Sequence, residues 1–311
     1  MKHTRFFLVL ALALTAFAAK VTYSYDANGR LASATYSGGL VIAYTYDPAG
    51  NLLNRTVGTV AAGAATITSV NTAGAGPDIA QNDWIEIKGN NLTPADTPAA
   101  GVIWSTAPEF ASGKMPTQIG GVSVTVNGKP AFVYYYCSAV TSHCASDQVN
   151  VLTPLDSTVG PVNIVVTSAA GASAPYIVNL KSIAPSFLLF SPPYVVAVHA
   201  DYSLIGPPTL YPGLSTPAKP NELVTLYAVG FGLPAAALTN GSSSQSGPLA
   251  PLPVCTVGSN PAAVSFAGLV SPGLYQINLT IPANTGNSDQ TIGCTYNGAS
   301  TPATDMITVH Q

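Results

Sequence analysis

Asp147-Gln148-Val149-Asn150-Val151-Leu152-Thr153-Pro154 returns later in the chain as Tyr275-Gln276-Ile277-Asn278-Leu279-Thr280-Ile281-Pro282. In both, amides alternate with apolar residues, the period of a strand with one buried face. The flanks repeat in the same order. Asn82-Asp83-Trp84-Ile85-Glu86-Ile87 is answered by Asn221-Glu222-Leu223-Val224-Thr225-Leu226, and Pro130-Ala131-Phe132-Val133 by Pro261-Ala262-Ala263-Val264. Gly171-Ala172-Ser173-Ala174-Pro175 is answered by Gly298-Ala299-Ser300-Thr301-Pro302. Four anchors in one order predict two copies of one β domain, and repeated β modules favour scaffolding or binding over catalysis.

The bulk numbers agree. Of 311 residues only 7% are charged, against about 25% in ordinary soluble domains, while 47% are apolar and the formal net charge is -3. Disordered chains combine low hydrophobicity with high charge, so a folded chain of short strands and turns is expected. A pI near 5.7 and the lack of a basic stripe argue against a nucleic-acid partner.

Residues 1–18 read as an export signal: Lys2 and Arg5, an apolar run from Phe6 to Leu14, and the small-x-small site Ala16-Phe17-Ala18. No other stretch approaches the roughly 20 apolar residues of a membrane-spanning helix. The expectation is a secreted, cell-surface or periplasmic protein, soluble once the signal is removed. Cys137, Cys144, Cys255 and Cys294 then predict disulfides. In the repeat alignment Cys255 and Cys294 replace Val124 and Val166, which favours a bridge inside the second copy. Cys137 and Cys144 remain, flanking a loop that the second copy lacks. A zinc site would need closer pairs or more histidines.

Tyr25-Asp26-Ala27-Asn28-Gly29-Arg30-Leu31 recurs as Tyr46-Asp47-Pro48-Ala49-Gly50-Asn51-Leu52, each after an alternating strand-like run. Asp accepts hydrogen bonds from turn backbone and Gly supplies positive φ, so these are hairpin turns; the further acidic ligands of a calcium loop are absent. Over residues 19–57 the pattern resembles the YD repeats of the RHS family, whose long arrays wind into a β-shell on cell-surface and secreted proteins. Two units cannot enclose a cavity, so a small hairpin sheet is expected.

After a Gly/Ala linker at 58–65, turn-punctuated strand runs fill 66–181 and again 220–311, the spacing of β-sandwiches. Irregular excursions interrupt both copies, at Thr93 to Ile119 and Asn240 to Pro253. Residues 182–219 read as a bridging strand pair and linker, broken at Pro192-Pro193. The fold class is all-β: two immunoglobulin-like sandwiches in tandem behind the YD segment. Leu226-Tyr227-Ala228-Val229-Gly230-Phe231-Gly232-Leu233-Pro234 and Gly273-Leu274-Tyr275-Gln276-Ile277-Asn278 resemble the IPT/TIG superfamily, and more closely the C-terminal domain family of Solibacter-type exported proteins. That resemblance implies fold and export, and it brings no catalytic residues.

The catalytic inventory is thin: neither Gly-x-Ser-x-Gly, nor His-Glu-x-x-His, nor a phosphate-binding Gly-Lys-Ser/Thr loop occurs. His199, Asp201 and Ser203 could be written as a triad, but a turn is the plainer reading. Asp83 with Glu86, and Asp147 near Asp156, are the nearest carboxylate pairs for glycoside hydrolysis; both sit at strand edges as turn caps. Gln148/Asn150 and Gln276/Asn278 read as ties between strand and loop rather than ligand contacts, and His143 as an exposed loop tip. No catalytic residue, cofactor or metal is expected. A binding patch is expected at Trp104, Tyr134, Tyr135 and Tyr136, since aromatic rings stack on sugars or anchor partners. The function expected first is non-catalytic adhesion, assembly or protein binding, with a surface protein as partner. A carbohydrate-binding module accessory to polysaccharide degradation comes second, and a hydrolase third.

Overall fold

A computed structural model describes the chain except residues 1–20, 27, 37–39, 60–62, 95, 111–112 and 143. The export signal and His143 lie outside the described residues. Among those described, strands and turns make the whole fold, with one 3-10 turn at Trp104–Thr106 and no α-helix. None forms a helix long and apolar enough to cross a membrane.

The YD segment is an antiparallel meander of Val21–Tyr25, Leu31–Tyr36, Leu40–Tyr46 and Leu52–Thr59. Its turns are held by aspartate. Asp26 Oδ1 accepts from the Asn28 and Arg30 N–H groups, and Asp47 Oδ1 accepts from that of Asn51. The Arg30 guanidinium lies over the Tyr46 ring and donates to the Asp47 carbonyl, so each turn braces the other. The meander leans on the strand Tyr176–Lys181 of the next sheet.

In the first copy one sheet runs Thr66–Thr72, Trp84–Asn90, Asp147–Leu152, Phe132–Cys137, Val102–Ile103. The facing sheet runs Lys129–Pro130, Val122–Val126, Gly160–Ser168, Tyr176–Lys181, Ile79–Ala80. Alternation decides what goes inside: Val122, Val124 and Val126 are buried between half-exposed Ser123 and Thr125, and meet Ile85, Ile87, Val149 and Val151 from the other layer. Each such side chain contributes roughly 1.5–3 kcal/mol of burial.

The second copy repeats this frame, but its layers are continuous. The twelve-residue strand Asn260–Ser271 pairs with Val254–Val257 through its first three residues and with Leu274–Thr280 beyond them. In the first copy the same path breaks at Ala131. Residues between the copies are knitted into the second: Ser186–Phe187 and Ala197–Val198 pair with Leu223–Val229, while Leu189–Ser191 and Tyr194–Val195 form a hairpin across Pro192-Pro193.

Both disulfides form as paired in the sequence. Cys255 lies directly opposite Cys294, as Val124 lies opposite Val166. Cys137 closes its loop with Cys144.

Candidate functional site

The strand Trp84–Asn90 alternates in burial, sending Ile85 and Ile87 into the core and leaving Trp84, Glu86 and Lys88 on the outer face. Its neighbour Asp147–Leu152 does the same with Gln148 and Asn150, which stand across from Lys88 and Glu86. The third strand is irregular: Val133 faces Val151 and Tyr135 faces Asn150, so Tyr134 is the extra residue of a β-bulge. Bulges re-aim side chains, and this one turns Tyr134 toward the tryptophans.

Ring centroids of Trp84 and Tyr134 are 5.1 Å apart, those of Trp104 and Tyr134 5.0 Å, and those of Trp84 and Trp104 5.6 Å, all edge-on. Phe110 backs Trp104 at 5.4 Å. Trp84, Trp104 and Tyr134 wall a cleft of about 380 Å³ with Glu86 and Asn150, closed on the far side by Leu188, Pro272 and Leu274 from the second half of the chain. The tryptophans are half-buried, and they cap a small apolar cluster of Met115, Phe132 and Leu152.

The far wall is pinned. The Trp84 indole N–H donates to the Pro272 carbonyl at 2.7 Å. Gly273, at φ +65°, passes so close that a Cβ there would lie 2.4 Å from Leu152 Cδ1 and 2.9 Å from Trp84. The two irregular excursions also grip each other: the Met115 N–H donates to the Gly241 carbonyl, and the Ser243 N–H to that of Gly113, both at 2.8 Å. Ser186 Oγ donates to the Gly74 carbonyl.

The expected aromatic patch is therefore split. Trp104 and Tyr134 meet. Tyr135 instead lies against Gly101, its hydroxyl donating to the Ala100 carbonyl, and Tyr136 is buried in the core. Trp84, unassigned from sequence, completes the cleft; its only sequence signal was an aromatic at a polar-face position of an alternating strand. The amide pairs do not tie strand to loop. Gln148 Nε2 donates to Asn150 Oδ1 and Gln276 Nε2 to Asn278 Oδ1, each at 2.9 Å, because residues two apart on a strand share a face.

The carboxylate pairs do not assemble. Asp83 is fully buried, which pushes its carboxyl well above the usual range against the N–H groups of Ala80 and Trp84, while Glu86 faces the cleft. Asp147 accepts from the Leu92 and Ala139 N–H groups. Burial pushes Asp156 up, but hydrogen bonds from Asn127, Lys129 and Thr158 prevail and hold it well below the carboxylate range.

His199 lies in a second groove of about 900 Å³. Its Nδ1 contacts Glu222 and its Nε2 lies 2.9 Å from Thr216 Oγ1, whereas Ser203 Oγ donates to Asp201. Nearby backbone donors are already used: Gly206 N–H on the Thr216 carbonyl, Ala218 N–H on that of Thr308, Lys219 N–H on Glu222. None of these three is left to stabilise an oxyanion. Among the described residues no group of acidic, histidine or cysteine side chains could hold a metal.

The family model RHS Repeat matches residues 20–64. No curated protein matches the chain. Among solved structures, the chain is similar to a Bacteroides ovatus mixed-linkage glucan utilization locus SGBP-B in complex with a mixed-linkage heptasaccharide, at 13% identity and TM-score 0.36, covering 96% of this chain and 62% of that one. It is similar to SGBP-B from a Bacteroides uniformis xyloglucan utilization locus at 14% and 0.19, covering 78% and 49%, and to the plexin A4 extracellular region at 10% and 0.25, covering 78% and 18%. The chain thus spans less than two thirds of each. Likeness this weak carries no functional information.

Proposed function

We propose that this chain is an exported, non-catalytic binding protein whose cleft between the two sandwiches holds a carbohydrate. One observation supports this above all: Trp84, Trp104 and Tyr134 converge on a half-open cleft that also presents the side chains of Glu86 and Asn150. Aromatic faces suit the C–H faces of a pyranose, and the two polar groups suit its hydroxyls. Two disulfides fit an oxidising, extracellular setting, and the sandwich repeats fit an IPT/TIG-type pair. Both tryptophans of the chain line the cleft, so intrinsic fluorescence reports on it directly. Titration with a panel of soluble glycans should quench or shift that emission, and Trp104→Ala should weaken binding at least tenfold while leaving a cooperative melt. Binding that is unchanged in Trp104→Ala, or absent across the panel, refutes the proposal.

A second reading, assembly through protein contact, is favoured by the outer YD strand, where Leu52, Leu53 and Val57 are all more than half exposed on a strand that is the last of its sheet among the described residues. Light scattering that shows self-association, lost in Leu53→Lys, would support it.

A further inference from the structure

The two copies share one frame position by position, and the cleft arises where the first departs from the second. Each has a bulge at the same place, between Val133 and Tyr135 in one and between Val264 and Phe266 in the other. The bulged residue is Tyr134 in the first copy and Ser265 in the second. Trp84 corresponds to Leu223, and Glu86 to Thr225. Asn150 stands across from Glu86 as Asn278 stands across from Thr225.

The last substitution changes the chemistry of the amide. In the second copy Asn278 Oδ1 accepts from both Thr225 Oγ1 and Gln276 Nε2. In the first copy, among the described residues, Asn150 Oδ1 accepts from Gln148 alone. The residue opposite is a carboxylate, which cannot donate. Glu86 gives Oε1 to Lys88 at 2.5 Å, which leaves Oε2 as an acceptor and Asn150 Nδ2 as a donor, on adjacent strands beside the aromatic rings.

From this geometry we infer that Glu86 and Asn150 form a reading pair for vicinal hydroxyls, and that the cleft selects neutral pyranosides over uronic-acid saccharides. One hydroxyl donates to Glu86 while its neighbour accepts from Asn150. Equatorial hydroxyls leave the C–H faces of the ring free for Trp104 and Tyr134. Among the described residues lining the cleft Glu86 is the one that is charged, and although Lys88 takes its Oε1, the remaining Oε2 offers only acceptor lone pairs, which a ligand carboxylate cannot satisfy; an unfavourable element of this kind confers selectivity that contact area does not.

The inference rests on the carbohydrate reading, and one experiment separates the two. Wild type, Trp104→Ala and Glu86→Thr are titrated with a hexaose of β-linked glucose and a hexaose of galacturonic acid. Glu86→Thr installs the residue that the second copy already carries, and a thermal melt confirms that it folds. The expected result is that wild type prefers the neutral hexaose at least tenfold, Trp104→Ala loses both ligands, and Glu86→Thr weakens the neutral one about tenfold without weakening the acidic one. If Trp104→Ala abolishes binding but Glu86→Thr leaves the ratio unchanged, the reading pair is overturned and the carbohydrate site stands. If wild type binds neither hexaose, the reading pair and its selectivity are overturned; if Trp104→Ala changes nothing, the carbohydrate site is overturned with them.

Discussion

The two sandwiches are the same object used differently. Inward positions match in kind: Ile85, Ile87, Val149 and Val151 of the first correspond to Val224, Leu226, Ile277 and Leu279 of the second, and all are buried. Outward positions diverge, with Trp84, Glu86 and Tyr134 standing where the second has Leu223, Thr225 and Ser265. A core side chain touches many neighbours and changes only with them; a residue on the outer face or in a bulge has few partners and is free to acquire chemistry. The cysteines follow the same division. The second copy places its bridge at facing strand positions, and the first places its bridge across a loop beside the strand that carries Tyr134.

The largest effect should separate the bridges. Closing a span of 39 residues between Cys255 and Cys294 is worth about 4 kcal/mol in the chain-entropy view, and closing 7 between Cys137 and Cys144 about 2.5 kcal/mol. Replacing each pair by serine and following denaturant unfolding should give losses in that order; equal losses would break the distinction between a structural and a local bridge. Next comes the seam between the copies. Gly273→Ala forces a Cβ into Leu152 and Trp84 at positive φ, and should cost about 3 kcal/mol from overpacking and backbone strain, with a red shift of tryptophan emission as the cleft opens. No change in emission would mean that the second sandwich does not form the far wall.

A smaller effect concerns buried carboxyls, one with an unbonded oxygen in each copy: Asp83 and Asp305. Burial pushes Asp305 up to about 6. Its folded pKa lies above its unfolded one, so its contribution to stability is fully present below about pH 4, is lost as pH rises toward 6, and stays lost above that. Asp305→Asn should therefore match wild type near pH 3.5 and exceed it by about 2 kcal/mol at pH 7.5. An equal gain at both pH values would remove the carboxyl as the cause. Smallest of all, Glu86→Thr should change stability by less than about 0.5 kcal/mol, since the Glu86–Lys88 pair is partly exposed to solvent. A larger loss would make Glu86 part of the scaffold.

Much of the fold was legible because duplication supplies its own internal comparison. The alternation of Gln148-Val149-Asn150-Val151 marks the inward face, and the replacement of Val124 and Val166 by cysteines favours a bridge between them. The aspartate-held turns of the YD segment were legible too, because their hydrogen bonds span only a few residues. The site was half legible. Trp104 and Tyr134 stood out by residue type, but Tyr136 did not declare itself as core, since a bulge between Val133 and Tyr135 shifts the facing of the run. Trp84 was missed because what it meets, Pro272, lies 188 residues away.

Residue order alone thus pointed to the all-β class and the doubled frame and favoured the cysteine pairing, because each depends on a short-range period or on a match between copies. Only the tertiary structure decided which aromatic rings share a cleft, which carboxylates stay apart and where the sandwiches meet. Those depend on a bulge that redirects one ring, on a glycine that admits a neighbouring indole, and on the packing of two excursions that have no period of their own.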